Sequence, residues 1–243
     1  MKQQFTIQAV TDCTIEYEGT IEYSIDNGKT WKRLKKLSIQ ATREAQFRNA
    51  KSESEDSFII EGKFNVYGHI STLAPYGTEA FKWMFHYTNV VDASKLILDY
   101  DELWPFAYYN MFNGCRSLAK APKLPATTLA DSCYYAMFYY CSSLTTAPEL
   151  PATTLAEECY QYMFNNCTSL ASAPELPATT LAEGCYEGMF QGCKSLTLAP
   201  SLPATKLKEG CYEHMFQDCE NIEELPLIPK KVLMVALRMD LLT

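Results

Sequence analysis

Apolar and polar positions recur at a fixed interval of 26 residues through the second half of the chain. Met-Phe pairs stand at 111–112, 137–138, 163–164, 189–190 and 215–216. Prolines at 122, 148, 174, 200 and 226, and again at 125, 151, 177, 203 and 229, keep the same register. Five consecutive registers define a repeat in which each period is one supersecondary unit that shares its core with its neighbours. Within a period, Leu155, Cys159 and Met163 fall at four-residue steps beside Tyr160 and Phe164. That spacing predicts the buried face of a helix. Thr154 followed by Glu157 matches a capping box and predicts a helix start near Leu155, with Thr128/Asp131 and Thr180/Glu183 approximating it in other periods. Residues 157, 158, 161, 162, 165 and 166 are then expected on the solvent face. Leu170 and Ala173 predict a short inward-facing strand that Pro174 and Pro177 end.

The first seventy residues have a different pattern. FTIQAV, TIEY, TIEYSI, LSIQA, SFIIEG and FNVYG are short β-rich runs bounded by turn formers. Asp26-Asn27-Gly28 sits between two of them as a hairpin turn. The stretch from Ser24 to Trp31, SIDNGKTW, resembles the Asp-box turn of sialidase propellers. That resemblance implies structural roles for Asp26 and Trp31. The predicted organisation is a small β-sandwich-like domain at 1–70 joined without a linker to a repeat domain at 71–243. Degenerate capping coils are expected at 78–98, around Phe81, Met84 and Phe85, and at 226–243.

A period between 20 and 29 residues with leucines at fixed offsets predicts a leucine-rich solenoid. The expected fold class is an α/β leucine-rich-repeat solenoid, with one short strand and one helix per coil, preceded by a small all-β domain. Met163-Phe164, Cys167, Leu170 and Leu176-Pro177 resemble the BspA-like (Treponema-type) leucine-rich repeats, over roughly residues 72–243. The form CY-x2-MF-x2-C-x-SL-x2-AP-x-LPATTLA is similar to proteins of gut Bacteroidales and their phages. The resemblance implies a surface or virion adhesin.

Cysteines form two columns, 133/159/185/211 and 115/141/167/193/219. The odd column cannot pair completely, and small residues replace cysteine in the edge coils, so buried thiols are expected rather than disulfides. No C-x2-C pair occurs, and Cys211, His214 and Cys219 are the sole candidate metal set, so neither a metal nor a cofactor is expected. Residues 1–64 carry as many acidic as basic side chains, so the net charge of −8 rests on the repeats. That balance argues against nucleic acid as a partner. No stretch approaches the apolar length of a membrane span, and MKQQFTIQAV is no signal peptide, which predicts no membrane insertion and favours a virion over a cellular setting. Walker, Rossmann, G-x-S-x-G and H-E-x-x-H motifs are all missing, so no enzyme is expected.

The coils differ at their outward positions. Tyr109, Tyr135, Tyr139, Tyr140 and Tyr162 cluster there with Asn165 and Asn166, while later coils turn small and acidic. Exposed aromatics beside amides suit a glycan or a protein loop, and these seven residues are the expected ligand-binding set. The strand face, with Lys120, Thr146, Ser172 and Leu198, is the second candidate surface. The expected function is non-enzymatic recognition or adhesion, binding a surface glycan or protein from an extracellular-facing position on a cell or phage tail. The alternative is a structural or assembly scaffold that contacts other proteins without binding glycans, for which an exposed apolar face on VLMVALRMDLL would argue.

Overall fold

A computed structural model describes residues 2–51, 57–73, 81–224 and 226. Nine strands carry the regular structure: β1 (Thr6–Ala9), β2 (Cys13–Tyr17), β3 (Thr20–Ser24), β4 (Lys32–Arg33), β5 (Leu37–Ile39), β6 (Glu44–Lys51), β7 (Phe58–Glu61), β8 (Phe64–His69) and β9 (Val90–Ile97). They form a six-stranded sheet, β4-β3-β6-β1-β8-β9, and a three-stranded sheet, β5-β2-β7. The alternating burial of β7 and β8 shows why these runs are strands: one face of each packs inward and the other meets water. The two sheets meet through Phe47 of β6, which stands edge-on to Phe58 of β7 at 5.5 Å.

The predicted helix in each coil is absent. The only helical segment among the described residues is the three-residue 3-10 turn Ile70–Thr72, so the α/β leucine-rich-repeat solenoid is corrected to a helix-free, β-rich coil stack. Residues 130–141 show what replaces the helix. The N–H groups of Cys133, Tyr135, Met137, Tyr139 and Cys141 donate to carbonyls three residues back, at 3.0–3.2 Å. Those of Ser132, Tyr134, Ala136, Phe138 and Tyr140 donate instead to Glu157, Cys159, Gln161, Met163 and Asn165 of the next coil, at 2.8–3.1 Å. An α-helix would bond every amide four residues back. Here alternate amides close β-turns and the others join coils, so every donor in the ribbon is satisfied. Every other turn takes a positive φ at its third residue, as at Ser132 (52°), Ala136 (48°) and Tyr140 (58°), the conformation a type II turn requires. The ribbon therefore repeats every four residues, and this is the origin of the four-residue apolar step that resembles a helix.

The predicted strand is also reduced. The strand side of the coils makes single parallel bridges, Asp92 to Lys120, Thr146 to Ser172 and Leu198 to Glu224, and among the described residues beyond β9 no strand is longer than a bridge. Leu170 is buried as expected.

One core runs through all of this. Phe112, Phe138, Phe164, Phe190 and Phe216 stack coil upon coil at 5.6–5.8 Å with their planes 5–6° apart. The column continues backward through Phe85 to Phe58, so it starts inside the three-stranded sheet. A second column runs Phe81, Tyr108, Tyr134, Tyr160, Tyr186, Tyr212. β9 pairs in parallel with β8, so the six-stranded sheet spans the expected boundary at residue 71 and covers the first coil. Phe81, Met84 and Phe85 of the expected first cap are fully buried, whereas Ala80 lies outside the described residues. The expected C-terminal cap at 226–243, with VLMVALRMDLL, lies outside them as well, apart from Pro226.

All ten cysteines are free thiols. In one column each Sγ donates to the carbonyl of a phenylalanine on the preceding coil, as from Cys141 to Phe112, Cys167 to Phe138 and Cys193 to Phe164, all at 3.1 Å. Thr88 takes the equivalent place in the first coil, its hydroxyl donating to Phe85 at 2.7 Å. The Asp26 hairpin is held locally. Thr30 donates twice to the carboxylate, Ser24 donates once, and the Trp31 indole reaches the Gly28 carbonyl with the Arg48 guanidinium over its ring.

Candidate functional site

The outer face of the turn ribbon carries the expected binding residues, and three positive-φ positions per coil recur on it at four-residue steps, as at Glu158, Tyr162 and Asn166. Side chains on positive-φ positions fold over the next coil. Tyr162 (φ 54°) lies across Gly188, and Tyr87 (φ 55°) lies across Gly114. Neither glycine could accept a β-carbon without displacing the ring above it. The glycines therefore let two phenol rings lie flat on backbone with one face turned outward.

Around these rings runs an aromatic belt across four coils. Tyr109 and Tyr135 stack at 4.6 Å with planes 6° apart, and Tyr135 meets Tyr162 edge-on at 5.9 Å. Tyr139 and Tyr140 stand edge to face at 4.7 Å. Toward the sheet the belt continues through Phe106, Trp83 and His86, with the Lys82 ammonium 5.3 Å from the Tyr109 ring and 5.6 Å from Phe106. Tyr87 is 71% exposed and Tyr140 41%, while Tyr109, Tyr135, Tyr139 and Tyr162 are half-buried. Burial, and then the neighbouring Tyr109, push the Tyr135 phenol up to about 12, so this central ring is uncharged at neutral pH.

The belt ends in a groove of about 270 Å³ that runs across four coils, from Tyr139 to Asp218. Asn166 and Gln191 line its floor, and Lys194, Asp218 and Glu220 line its far side. The amides form a directed chain: Asn166 donates to Asn165, Asn165 to Gln191 at 2.8 Å, and Gln191 to Gln217 at 2.7 Å. Lys194 is paired with Glu220 at 2.7 Å.

The seven expected residues thus divide. Tyr109, Tyr135 and Tyr162 form the middle of the belt, and Tyr139 and Tyr140 form its junction with the groove. Asn165 and Asn166 both line the groove, and Asn165, which is buried, also donates to Gln191. Tyr162 donates its hydroxyl to Glu187. Trp83 and Tyr87 are not expected, because a one-residue insertion shifts the first coil out of the register that aligns the others; Phe106 is in register, at a position that later coils fill with Ser132, Glu158, Gly184 and Gly210. The groove's charged wall was not expected either; its signal was the swap of tyrosine for Asp218 in the last described coil.

The rest of the surface offers less chemistry. A second groove of about 440 Å³ on the strand side is lined by Pro174, Pro177, Pro200 and Pro203 around Leu198. Burial pushes the Cys115, Cys133 and Cys185 thiols up to about 12, leaving them protonated and weakly nucleophilic. Among the described residues no group of three or more His, Cys, Asp or Glu side chains is placed to hold a metal ion, which includes Cys211, His214 and Cys219. Nor is any helix among them long and apolar enough to cross a membrane. No protein-family model, no curated protein and no solved structure matches this chain, so the arrangement of belt and groove is the evidence from which function is argued.

Proposed function

We propose that this is a non-enzymatic recognition protein that binds a glycan or protein on an external surface of a cell or virion, through the outer turn face of its coil stack. The observation that carries the reading is the aromatic belt from Trp83 to Tyr162 running into the amide-lined groove beside Tyr139. Large flat rings fixed by glycine and by one another lose little conformational freedom on binding, which favours them as contact residues. The coil stack supplies rigidity, since alternate backbone N–H groups along the outer face bond each coil to the next, as from Ala136 to Gln161 and from Tyr140 to Asn165.

The test is binding of the purified protein to an array of glycans and bacterial-envelope fragments, beside a Tyr135→Ala/Tyr139→Ala/Tyr140→Ala variant. Capture by the native protein that the variant loses, with its melting transition retained, supports recognition by this face. Capture that the variant keeps would move the contact surface elsewhere. One observation favours the scaffold reading instead: Leu198 is 57% exposed in a proline-lined groove, an arrangement suited to contact with another protein. A Leu198→Glu variant that loses a protein contact while keeping the array signal would support it.

A further inference from the structure

We infer that the groove beside Tyr139 is a subsite for a short neutral saccharide lying along the coil stack, an assignment that rests on recognition by the outer turn face.

Four observations lead there. The groove of about 270 Å³ is lined by four successive coils that stack at 5.6–5.8 Å, so it is long enough for a short saccharide. Tyr139, held edge to face by Tyr140, is the one aromatic residue in its mainly polar lining, and its ring can take the axial C–H face of one sugar unit.

Its floor is the amide chain. Because Asn166, Asn165 and Gln191 each donate one N–H to the next oxygen in line, their orientations are set before a ligand arrives. Each amide has a second N–H, and each oxygen a second lone pair. A floor that both donates and accepts in fixed directions suits hydroxyls, which do both as well.

Charge sets the selectivity. Lys194 is committed to Glu220 at 2.7 Å, which leaves the Asp218 carboxylate as the surplus charge on that wall. Asp218 accepts from a hydroxyl but repels a carboxylate, and an acidic sugar could recruit Lys194 only by breaking its ion pair. Hexoses and N-acetylhexosamines are therefore admitted, while uronic and sialic acids are disfavoured.

The experiment is an NMR titration of the full chain with matched neutral and acidic disaccharides, cellobiose-type and galactose-type against their uronic-acid counterparts, plus a sialylated one. Variants are Tyr139→Ala, Asp218→Ala and, exposed on the Asp26 hairpin, Lys29→Ala, each checked by thermal melting. The expected result is at least about tenfold tighter binding of a neutral sugar than of its acidic counterpart. Tyr139→Ala and Asp218→Ala should each weaken it at least about tenfold, whereas Lys29→Ala leaves it unchanged. Equal or tighter binding of the acidic sugars, neutral binding indifferent to Asp218→Ala, or no saccharide binding by the native chain would each overturn the subsite. If no sugar titrates but the triple tyrosine variant still loses capture on the array, the recognition face stands and only the subsite falls. If the native chain captures nothing either, both fall.

Discussion

The ring of Tyr162 occupies the space that a β-carbon on Gly188, one coil further on, would need. Gly188 also has a φ of 54°, so two separate demands fix its identity. Replacing it with alanine should cost about 2 kcal/mol, part from the left-handed backbone and part from moving the ring. Gly184→Ala separates the two contributions. It shares the positive φ, but its nearest neighbour would be the flexible Glu158 side chain at 3.5 Å, so it should cost only about 1 kcal/mol. Urea unfolding of both variants checks the difference.

Tyr134 stacks between Tyr108 and Tyr160, yet its hydroxyl is buried without a hydrogen-bond partner. An unsatisfied buried hydroxyl is destabilising, and phenylalanine keeps the stack while removing it. Tyr134→Phe should therefore raise stability by about 1 kcal/mol in equilibrium denaturation. Tyr162→Phe, which loses the bond to Glu187, should not be stabilising.

The thiol columns predict a loss of stability in alkali. An unfolded cysteine ionises near about 8.5, whereas burial holds Cys115, Cys133 and Cys185 protonated up to about 12. The unfolded chain then binds fewer protons than the folded one, so their contribution is complete below pH 8.5 and is lost progressively between about 8.5 and 12. Each such thiol steepens the loss by about 1.4 kcal/mol per pH unit in that window. Melting temperature measured against pH reads the slope directly. In native protein near pH 8, a thiol reagent should label Cys219 first, because the other nine are buried.

Asp99 predicts the acid limb. Burial pushes its carboxyl up, but donation from Lys2, Ser71 and His69 outweighs that and holds it well below the usual carboxylate range. A lowered folded value means stability that is present above the unfolded value of about 3.9 and is lost as pH falls below it. Asp99→Asn should cost about 2 kcal/mol at pH 7 and flatten the acid side of the stability curve. The same residue ties the start of the chain and the Ile70–Thr72 turn to the segment just after β9, so the loss should appear as fraying of that junction in hydrogen exchange.

The repeat length, the buried Met-Phe and cysteine columns and the β-rich start could be read directly from residue spacing. The type of local structure could not. Leu155, Cys159, Met163 and Cys167 all lie on the core at strict four-residue steps. At 3.6 residues per turn a helix face drifts by about 40° with every such step, so Cys167 would have rotated off it. That strictness was the available signal for a turn ribbon, and Gly184, Gly188 and Gly192 at the same interval reinforced it. The groove was less visible, because Tyr139 and Asp218 come to line one groove only through stacking of coils that lie far apart in the chain.

The inter-coil hydrogen bonds also give the ribbon an electrical direction. The peptide unit between Cys133 and Tyr134 accepts at its carbonyl from Tyr108 on the coil before, and donates from its N–H to Cys159 on the coil after. The same relay continues through Tyr160 to Cys185 and Tyr186 to Cys211. Alternate peptide units thus align along the stack, and their dipoles add with the positive pole toward the later coils, opposite in chain sense to an α-helix. One outer column runs Lys82, Tyr109, Tyr135, Gln161, Glu187, Glu213. Its cation stands at the negative pole and its carboxylates at the positive one, so the drift from aromatic to acidic coils compensates a field that the backbone itself creates.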